Sequence, residues 1–306
     1  MPPQQDNPVL TRRQALAGSA AVLAGAVVTG SLSAAEKVNR VLVVVGPSNH
    51  PPGTHEVAAG GRLLGHCIEA AKLAQPLRAS VVNRWPESKS LSDVASVVFI
   101  GDLFPPEVMP DRDRIFADLT ALMRRGAGMV CIHFATGLAA RHVTPEGDHP
   151  LLHWIGGYFA TGCKHHQSIA RIFKEATIQP AAVDHPVLRG WTAFTLHDEP
   201  YINNYFGKNG PGKNVSILAT AQLPPEAPKR EGVAWAVTRE DGGRGVGIVM
   251  PHFYRNWKVD ALRTLILNSI VWTTGSEVPR EGVQVALPDL ATFKPDALEP
   301  AVRKKK

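Results

Sequence analysis

The sequence predicts an α/β protein in which helices cover both faces of a mostly parallel β-sheet. Short runs of β-branched residues, such as Val38–Gly46, are apolar at nearly every position, which is typical of strands buried on both faces. Segments with apolar residues at helical spacing separate these runs. Strands that alternate with helices in this order form a doubly wound sheet with right-handed crossovers.

Four strands and two helices are predicted in the first half of the chain. The first helix carries Leu63, Leu64 and Cys67 on one stripe, and Gly126 ends the second helix. In chain order the elements are the strand Val38–Gly46, the helix Ala58–Ala74, the strands Ala79–Trp85 and Ser96–Gly101, the helix Asp113–Arg125 and the strand Gly128–His133.

The second half is less regular. Leu151–Phe159 is predicted as a short aromatic helix or turn, and Val259–Thr273 as a closing helix. Four strands are predicted between them, of which the first three could form a mixed or antiparallel extension: Ser168–Phe173, Val215–Thr220, Gly232–Thr238 and Gly245–Met250. Four prolines after Gly275 exclude a long helix there, so we expect an extended tail over residues 276–306.

The charge distribution argues against a nucleic-acid-binding protein. The formal net charge of the 306 residues is +6, but Arg12 and Arg13 with Asp6 contribute +1 and the last four residues contribute +4. Residues 36–302 therefore carry only +1. A nearly neutral body lacks the basic surface that nucleic acid requires.

The first 35 residues resemble a twin-arginine signal peptide. Arg12-Arg13 precede a mildly apolar stretch rich in Ala, Gly, Val, Ser and Leu, and Ser33-Ala34-Ala35 offer the small residues of a cleavage site. We expect export to the periplasm or beyond, with the α/β domain over residues 36–275. An uncleaved membrane anchor stays open as the alternative.

Several common sites are missing from the sequence. It contains no P-loop, no GxGxxG after the first strand and no GxSxG elbow, so we expect no nucleotide cofactor and no ordinary serine hydrolase. The three cysteines include no CxxC pair, which argues against a thiolate zinc site.

Histidines follow three of the predicted buried strands. His50 and His55, with Glu56, come after the first strand, His133 ends the fourth, and His252 follows Gly245–Met250. Parallel strands deliver their next residues to one edge of the sheet, where α/β proteins bind ligands. We therefore predict that His55, His133 and His252 converge in one cleft. Neutral imidazoles there suit zinc, manganese or nickel, and a metal-free acid–base pocket is the alternative.

A second group of polar residues is His197-Asp198-Glu199-Pro200-Tyr201. Neighbouring side chains of an extended chain point in opposite directions, so at most one of Asp198 and Glu199 faces the cleft. A metal ligand, a general base and an acceptor for sugar hydroxyls are all possible roles for that carboxylate.

Motifs in a fixed order resemble the ThuA-like (trehalose utilisation) family, and in particular its exported planctomycete-type members, over roughly residues 38–285. They are Asn49–Glu56 with Ala59-Gly60, Gly128–His133, Trp154–Phe159, Asp184–Pro186, Asp198–Tyr201 and Val233–Gly275.

The resemblance implies a flavodoxin-like fold similar to that of class I glutamine amidotransferases. Their nucleophilic Cys follows the strand equivalent to the fourth one here, where this chain has His133-Phe134-Ala135. Glutaminase chemistry is therefore not expected. The family implies sugar substrates, namely trehalose and related disaccharides. The resemblance also implies that these sugars are processed as 3-keto-glycoside intermediates, which a partner sugar 3-oxidoreductase makes.

These observations lead to an exported enzyme that acts on a disaccharide or 3-keto-glycoside by hydrolysis, elimination or isomerisation. We predict His133, Asp198 and Glu199 as catalytic residues. The predicted substrate-binding residues are His50, Glu56, Trp154, Tyr158, Tyr201 and Trp257. The first alternative is a non-catalytic carbohydrate-binding protein that stacks sugars on the aromatic members of this set. A structural subunit of a larger periplasmic complex is the second, and it would expose a large apolar patch.

Overall fold

The computed structural model describes residues 39–293, and the predicted signal peptide and the end of the tail lie outside this range. The strands are β1 (Asn39–Val45), β2 (Leu77–Val82), β3 (Val94–Ile100), β4 (Gly128–Ile132), β5 (Gly137–Ala139), β6 (Phe159–Thr161), β7 (Phe173–Pro180), β8 (Phe194–Asp198), β9 (Val215–Leu223), β10 (Lys229–Thr238) and β11 (Arg244–Ile248). The helices are α1 (Val57–Ala70), α2 (Arg112–Arg124), α3 (Pro150–Ile155) and α4 (Asp260–Thr273).

Nine strands form one sheet in the order β2-β1-β3-β4-β11-β10-β9-β7-β8. The first five of these are parallel, and the β-branched runs predicted as neighbours lie side by side: Val43 pairs with Val98, and Val130 pairs with both Val98 and Val246. The predicted fold class is confirmed. The chain order also changes direction between β1 and β3, which is where open α/β sheets bind ligands.

Helices cover both faces of the parallel half. Ser96 of β3 bonds Thr273 of α4 on one face, and Gly60 of α1 lies against Ile100 on the same face. The neighbouring residue Phe99 points the other way and contacts Phe104, which packs on Phe116 of α2. The alternation of side chains along β3 thus separates α1 and α4 from α2 and α3.

The second half of the sheet is antiparallel, as expected for an extension, but two of its strands differ from the prediction. The strand predicted at Ser168–Phe173 begins only at Phe173, because Ile169 and Ile172 are about half exposed and the inward alternation starts with Phe173 and Ala176. β8 was not predicted. It is a five-residue edge strand in which Leu196 and Asp198 are buried.

The direction of β8 matters for the site. Four successive antiparallel pairings connect β11 to β8 through β10, β9 and β7, so β8 runs in the same direction as the parallel strands. Its carboxyl end, with Asp198, therefore lies at the same edge of the sheet as the carboxyl ends of β1, β3, β4 and β11.

The tail packs against the domain as far as it is described. Val278, Val283 and Leu290 are buried, and the backbone N–H of Val283 donates to Asn268 Oδ1 of α4 at 2.8 Å. As predicted, no long helix follows residue 275 within the described range. Among residues 39–293, no helix has the length and apolar character needed to cross a membrane.

Candidate metal centre

Five strand ends bring polar side chains to one cleft. His55 lies in the loop after β1, Asp102 follows β3, His133 follows β4, Glu199 follows β8 and His252 follows β11. Donor atoms of four of them, His55, His133, Glu199 and His252, all lie within 4.8 Å of one another. The structure thus brings together the three histidines predicted to converge, with one of the two predicted carboxylates.

Left-handed backbone conformation occurs at one of these residues and directly after another. His133 has φ of 51°, and Leu103, next to Asp102, has φ of 59°. Non-glycine residues seldom adopt this conformation, and such strain clusters at functional sites. At His133 the chain turns abruptly from β4 into a short 3-10 helix, so the imidazole projects from the sheet edge.

The imidazole nitrogens of the three histidines face one another at close range. His55 Nε2 lies 2.9 Å from His133 Nε2 and 2.9 Å from His252 Nδ1, and the latter two are 3.2 Å apart. The three side chains are between 3% and 7% exposed. Separations this short leave no room for a water molecule between the nitrogens.

Hydrogen bonds on the outer side fix the tautomers of two rings. His55 Nδ1 lies 2.5 Å from Asp102 Oδ1, and His133 Nδ1 lies 3.0 Å from the carbonyl oxygen of Val249. Both partners can only accept hydrogen bonds. When the ring is neutral, Nδ1 therefore carries the proton and Nε2 presents a lone pair. Two lone pairs consequently face each other at 2.9 Å, which is repulsive unless a cation lies between them.

The electrostatics keep these rings neutral. Burial lowers the pKa of His55 to about 4, although the hydrogen bond to Asp102 opposes it. Burial, together with the adjacent His55 and His252, places the pKa of His133 well below its usual value. Burial disfavours the charged form of Asp102, but hydrogen bonds from His50 and His55 outweigh it and hold the pKa of Asp102 well below its usual range.

The spacing of the nitrogens fits one divalent ion. Ligands ~2.1 Å from an ion lie about 3 Å apart at right angles and about 3.4 Å apart in a tetrahedron. The observed separations of 2.9 to 3.2 Å match this range. Glu199 Oε2, 3.2 Å from His252 Nδ1 and 3.9 Å from His133 Nε2, supplies an oxygen on the same side. The donor set can hold a metal.

The side chains of Asp198 and Glu199 point in opposite directions, as expected for neighbours in an extended chain. Glu199 faces the histidines, whereas the buried Asp198 turns away and its Oδ1 accepts the backbone N–H groups of His252 at 2.8 Å and Phe253 at 3.1 Å. Burial raises the pKa of Asp198. Its predicted catalytic role does not fit this placement, because the carboxyl group holds the loop that carries His252.

Tyr201 is the one predicted aromatic residue that contacts the cluster. Its hydroxyl oxygen lies 3.1 Å from His133 Nε2, and its ring stacks on that imidazole with centroids 4.5 Å apart. Phe159 stacks on the other side of Tyr201 at 4.0 Å. Tyr201 is only 2% exposed, so neither ring face is open to a sugar.

The other predicted aromatic residues lie in the core. Trp154 packs on Phe116 of α2, and Tyr158 donates its hydroxyl proton to the carbonyl oxygen of Gly147. Trp257 lines a cavity of about 20 Å³ against His55 and His133, which has room for one water but not for a sugar ring. These side chains were predicted from their type alone, and their burial leaves no face for stacking.

His50 and Glu56 lie on the β1 loop, and each contacts a different group. His50 Nδ1 lies 2.8 Å from Asp102 Oδ2, and the His50 ring stacks on His55 with centroids 3.6 Å apart. At 32% exposure it is the open side of the cluster. Glu56 accepts a hydrogen bond from the backbone N–H of Gly53, within its own loop.

Asp102 contacts His50 and His55 but was not predicted from the sequence. It is the second residue after β3, so the strand-end rule that found the histidines applies to it as well. A carboxylate at a strand end is as strong a signal as a histidine there, and Asp102 carries that signal in the sequence.

Comparison with known proteins agrees with this architecture. A ThuA-like protein from Bacteroides uniformis ATCC 8492 superimposes with a TM-score of 0.56 at 13% identity, over 83% of this chain and 98% of that chain. Agd3, described as a carbohydrate deacetylase, gives 0.46 at 12% identity over 78% of this chain and 32% of that chain. A glutamine amidotransferase from Thermotoga maritima gives a TM-score of 0.38 at 10% identity, over 77% of this chain and 96% of that chain.

At 13% identity the likeness to the ThuA-like protein shows the fold and leaves the chemistry of the site open. No curated protein matches the sequence. The family model described as trehalose utilisation matches residues 40–273, which include every residue of the histidine cluster. The chain therefore belongs to the ThuA, or trehalose utilisation, family.

Proposed function

We propose that His55, His133 and His252, together with Glu199, bind one divalent metal ion. The observation that carries this proposal is the set of inward nitrogens, two of which present lone pairs to each other at 2.9 Å. Zinc, manganese and nickel all accept neutral imidazole ligands. A metal-free acid–base pocket would leave that repulsion uncompensated.

We further propose that the centre acts on an uncharged sugar or keto-sugar, by hydrolysis, elimination or isomerisation. The family description supports a carbohydrate. The carboxylates of Asp102 and Glu199 lie among the histidines and would balance the charge of a divalent ion, so the cleft offers no net positive charge to a phosphate or carboxylate group. A neutral polyol suits such a cleft better than an anion.

The chain's own groups supply proton transfer. When bound, a divalent ion polarises a carbonyl or hydroxyl oxygen. A carbonyl at C3 of a sugar acidifies the adjacent C–H. Glu199 faces the histidines with Oε2, so its other oxygen, Oε1, would accept that proton. The Tyr201 hydroxyl, which lies beside His133, can donate a hydrogen bond to a substrate oxygen there.

A non-catalytic sugar-binding role is the second candidate, and the burial of the aromatic residues disfavours it. Sugar-binding proteins stack rings on open aromatic faces, whereas Trp154, Tyr158, Tyr201 and Trp257 are each at most 8% exposed.

The proposed substrate also implies other proteins. A 3-keto-glycoside must be made by oxidation of a sugar hydroxyl, so we propose a sugar 3-oxidoreductase as the preceding enzyme. The twin-arginine motif at Arg12-Arg13 supports export of this chain.

Metal analysis tests the centre directly. Protein purified without chelators should contain about one equivalent of zinc, manganese or nickel by mass spectrometry, and His133→Ala should lose it. The matched control is His153→Ala, which changes a histidine 69% exposed on α3 and should retain the metal. Equal metal content in wild type and His133→Ala would refute the centre.

Turnover tests the reaction. Wild-type protein is screened against a panel of 3-keto-glycosides and unmodified disaccharides, and Glu199→Gln should abolish product formation while sugar binding by calorimetry persists. Binding without turnover in the wild type would favour the sugar-binding alternative.

A further inference from the structure

Asp102 contacts two imidazoles at once. Its Oδ1 lies 2.5 Å from His55 Nδ1 and its Oδ2 lies 2.8 Å from His50 Nδ1, and Oδ2 also accepts the backbone N–H of Asn49 at 2.9 Å. The carboxylate is 16% exposed, between a buried ring and a partly open one. The Asp102 side chain therefore connects the buried His55 with the partly exposed His50.

The distances indicate hydrogen bonds and not a second metal site. His50, His55 and Asp102 are close enough together to be considered as ligands. Two atoms bound ~2.1 Å from one ion lie about 3 Å apart or more, but His55 Nδ1 and Asp102 Oδ1 are 2.5 Å apart. That separation suits a short charge-assisted hydrogen bond.

The backbone supplies an independent observation. Leu103, the residue after Asp102, has φ of 59°. A large apolar side chain in this conformation is an outlier that persists only when its surroundings impose it. The surroundings therefore impose a sharp turn directly after Asp102, at the edge of the sheet.

We propose that Asp102 is a positioning residue with two targets. It holds His55 in the tautomer that turns Nε2 toward His133 and His252, and it fixes His50 at the mouth of the cluster. The metal-binding part of this inference rests on the proposed function. Carboxylates that hold metal-ligating histidines in this manner change metal affinity by about 10- to 100-fold when they are replaced.

His50 completes the arrangement. With Nδ1 donating to Asp102, the Nε2 of neutral His50 is an acceptor on the open side of the cluster, where a sugar hydroxyl can donate to it. Asp102 thus orders a metal ligand and a substrate-facing group together.

The test compares Asp102→Asn with Asp148→Asn, which changes an exposed carboxylate that lies 3.0 Å from the ring of the exposed His153. Zinc affinity is measured by competition with a chromogenic chelator, and ring tautomers are measured by long-range ¹⁵N NMR of the metal-free protein. Asp102→Asn should weaken zinc binding by about 10- to 100-fold and shift His55 away from the Nδ1–H tautomer. Asp148→Asn should leave both properties as in the wild type.

His133 is an internal control, because the carbonyl oxygen of Val249, and not Asp102, holds its Nδ1 proton. Its tautomer should be unchanged in Asp102→Asn. An unaltered His55 tautomer in that variant would overturn the proposal, and so would a joint change at His55 and His133. If the wild type binds none of zinc, manganese and nickel, the proposed function fails, while the NMR measurement still decides the role of Asp102.

Discussion

Acid should destabilise the metal-free protein, and His55 should contribute a defined share of the effect. The His55 side chain is 3% exposed, and burial lowers its pKa from 6.5 to about 4. The folded protein therefore keeps the ring neutral at a pH where the unfolded chain protonates it. Stability is full above pH 6.5 and is lost as the pH falls toward 4, by about 3 kcal/mol for this one group.

The assay is urea unfolding of chelator-treated protein at pH 7.5 and pH 4.5. The wild type should lose about 2.5 kcal/mol more than His55→Gln between these pH values, because Gln does not titrate. His133 is present in both proteins, so only the difference between them is interpreted. His153→Gln, at an exposed position, should follow the wild type. Equal losses in the wild type and His55→Gln would refute the reasoning.

Three further predictions concern packing, the His252 loop and export. Gly247→Ala would place a Cβ 2.4 Å from the fully buried Trp235 ring, so urea unfolding should show a loss of about 1–3 kcal/mol, and unchanged stability would contradict the packing. Asp198→Ala should lower the free energy of unfolding by about 1–3 kcal/mol or more, because two backbone N–H groups lose their acceptor. Asp198→Asn keeps an acceptor and should unfold close to the wild type. Equal losses in the two variants would argue against this role for Asp198. Replacing Arg12 and Arg13 with Lys should retain the precursor in the cytoplasm on cell fractionation, and normal export would exclude the twin-arginine pathway.

The parallel half of the fold could be predicted because its strands are buried on both faces. Val41–Val45 and Val97–Ile100 are continuous apolar runs, and the helices between strands carry clear stripes. The same rule located His55, His133 and His252, since a strand end has a known position in such a sheet.

The antiparallel half was harder to predict. β8 has only five residues with two of them buried, and its pairing with β7 depends on a partner whose own strand begins at Phe173. Without the register of β8, the sequence could not decide which of Asp198 and Glu199 faces the cleft. The burial of Trp154 and Tyr158 was equally beyond reach, because an aromatic residue suits a core as well as a sugar site.

The wide spacing of the donors along the chain has a consequence for biosynthesis. His55 and His252 are 197 residues apart in sequence, yet their nitrogens lie 2.9 Å apart. A nascent chain that has not yet delivered β8 and β11 presents only His55 and His133, and cannot assemble the proposed donor set. An ion bound by all four residues would enter only after nearly the whole domain has been synthesised and folded. Bound metal would therefore be present only in chains that have completed folding.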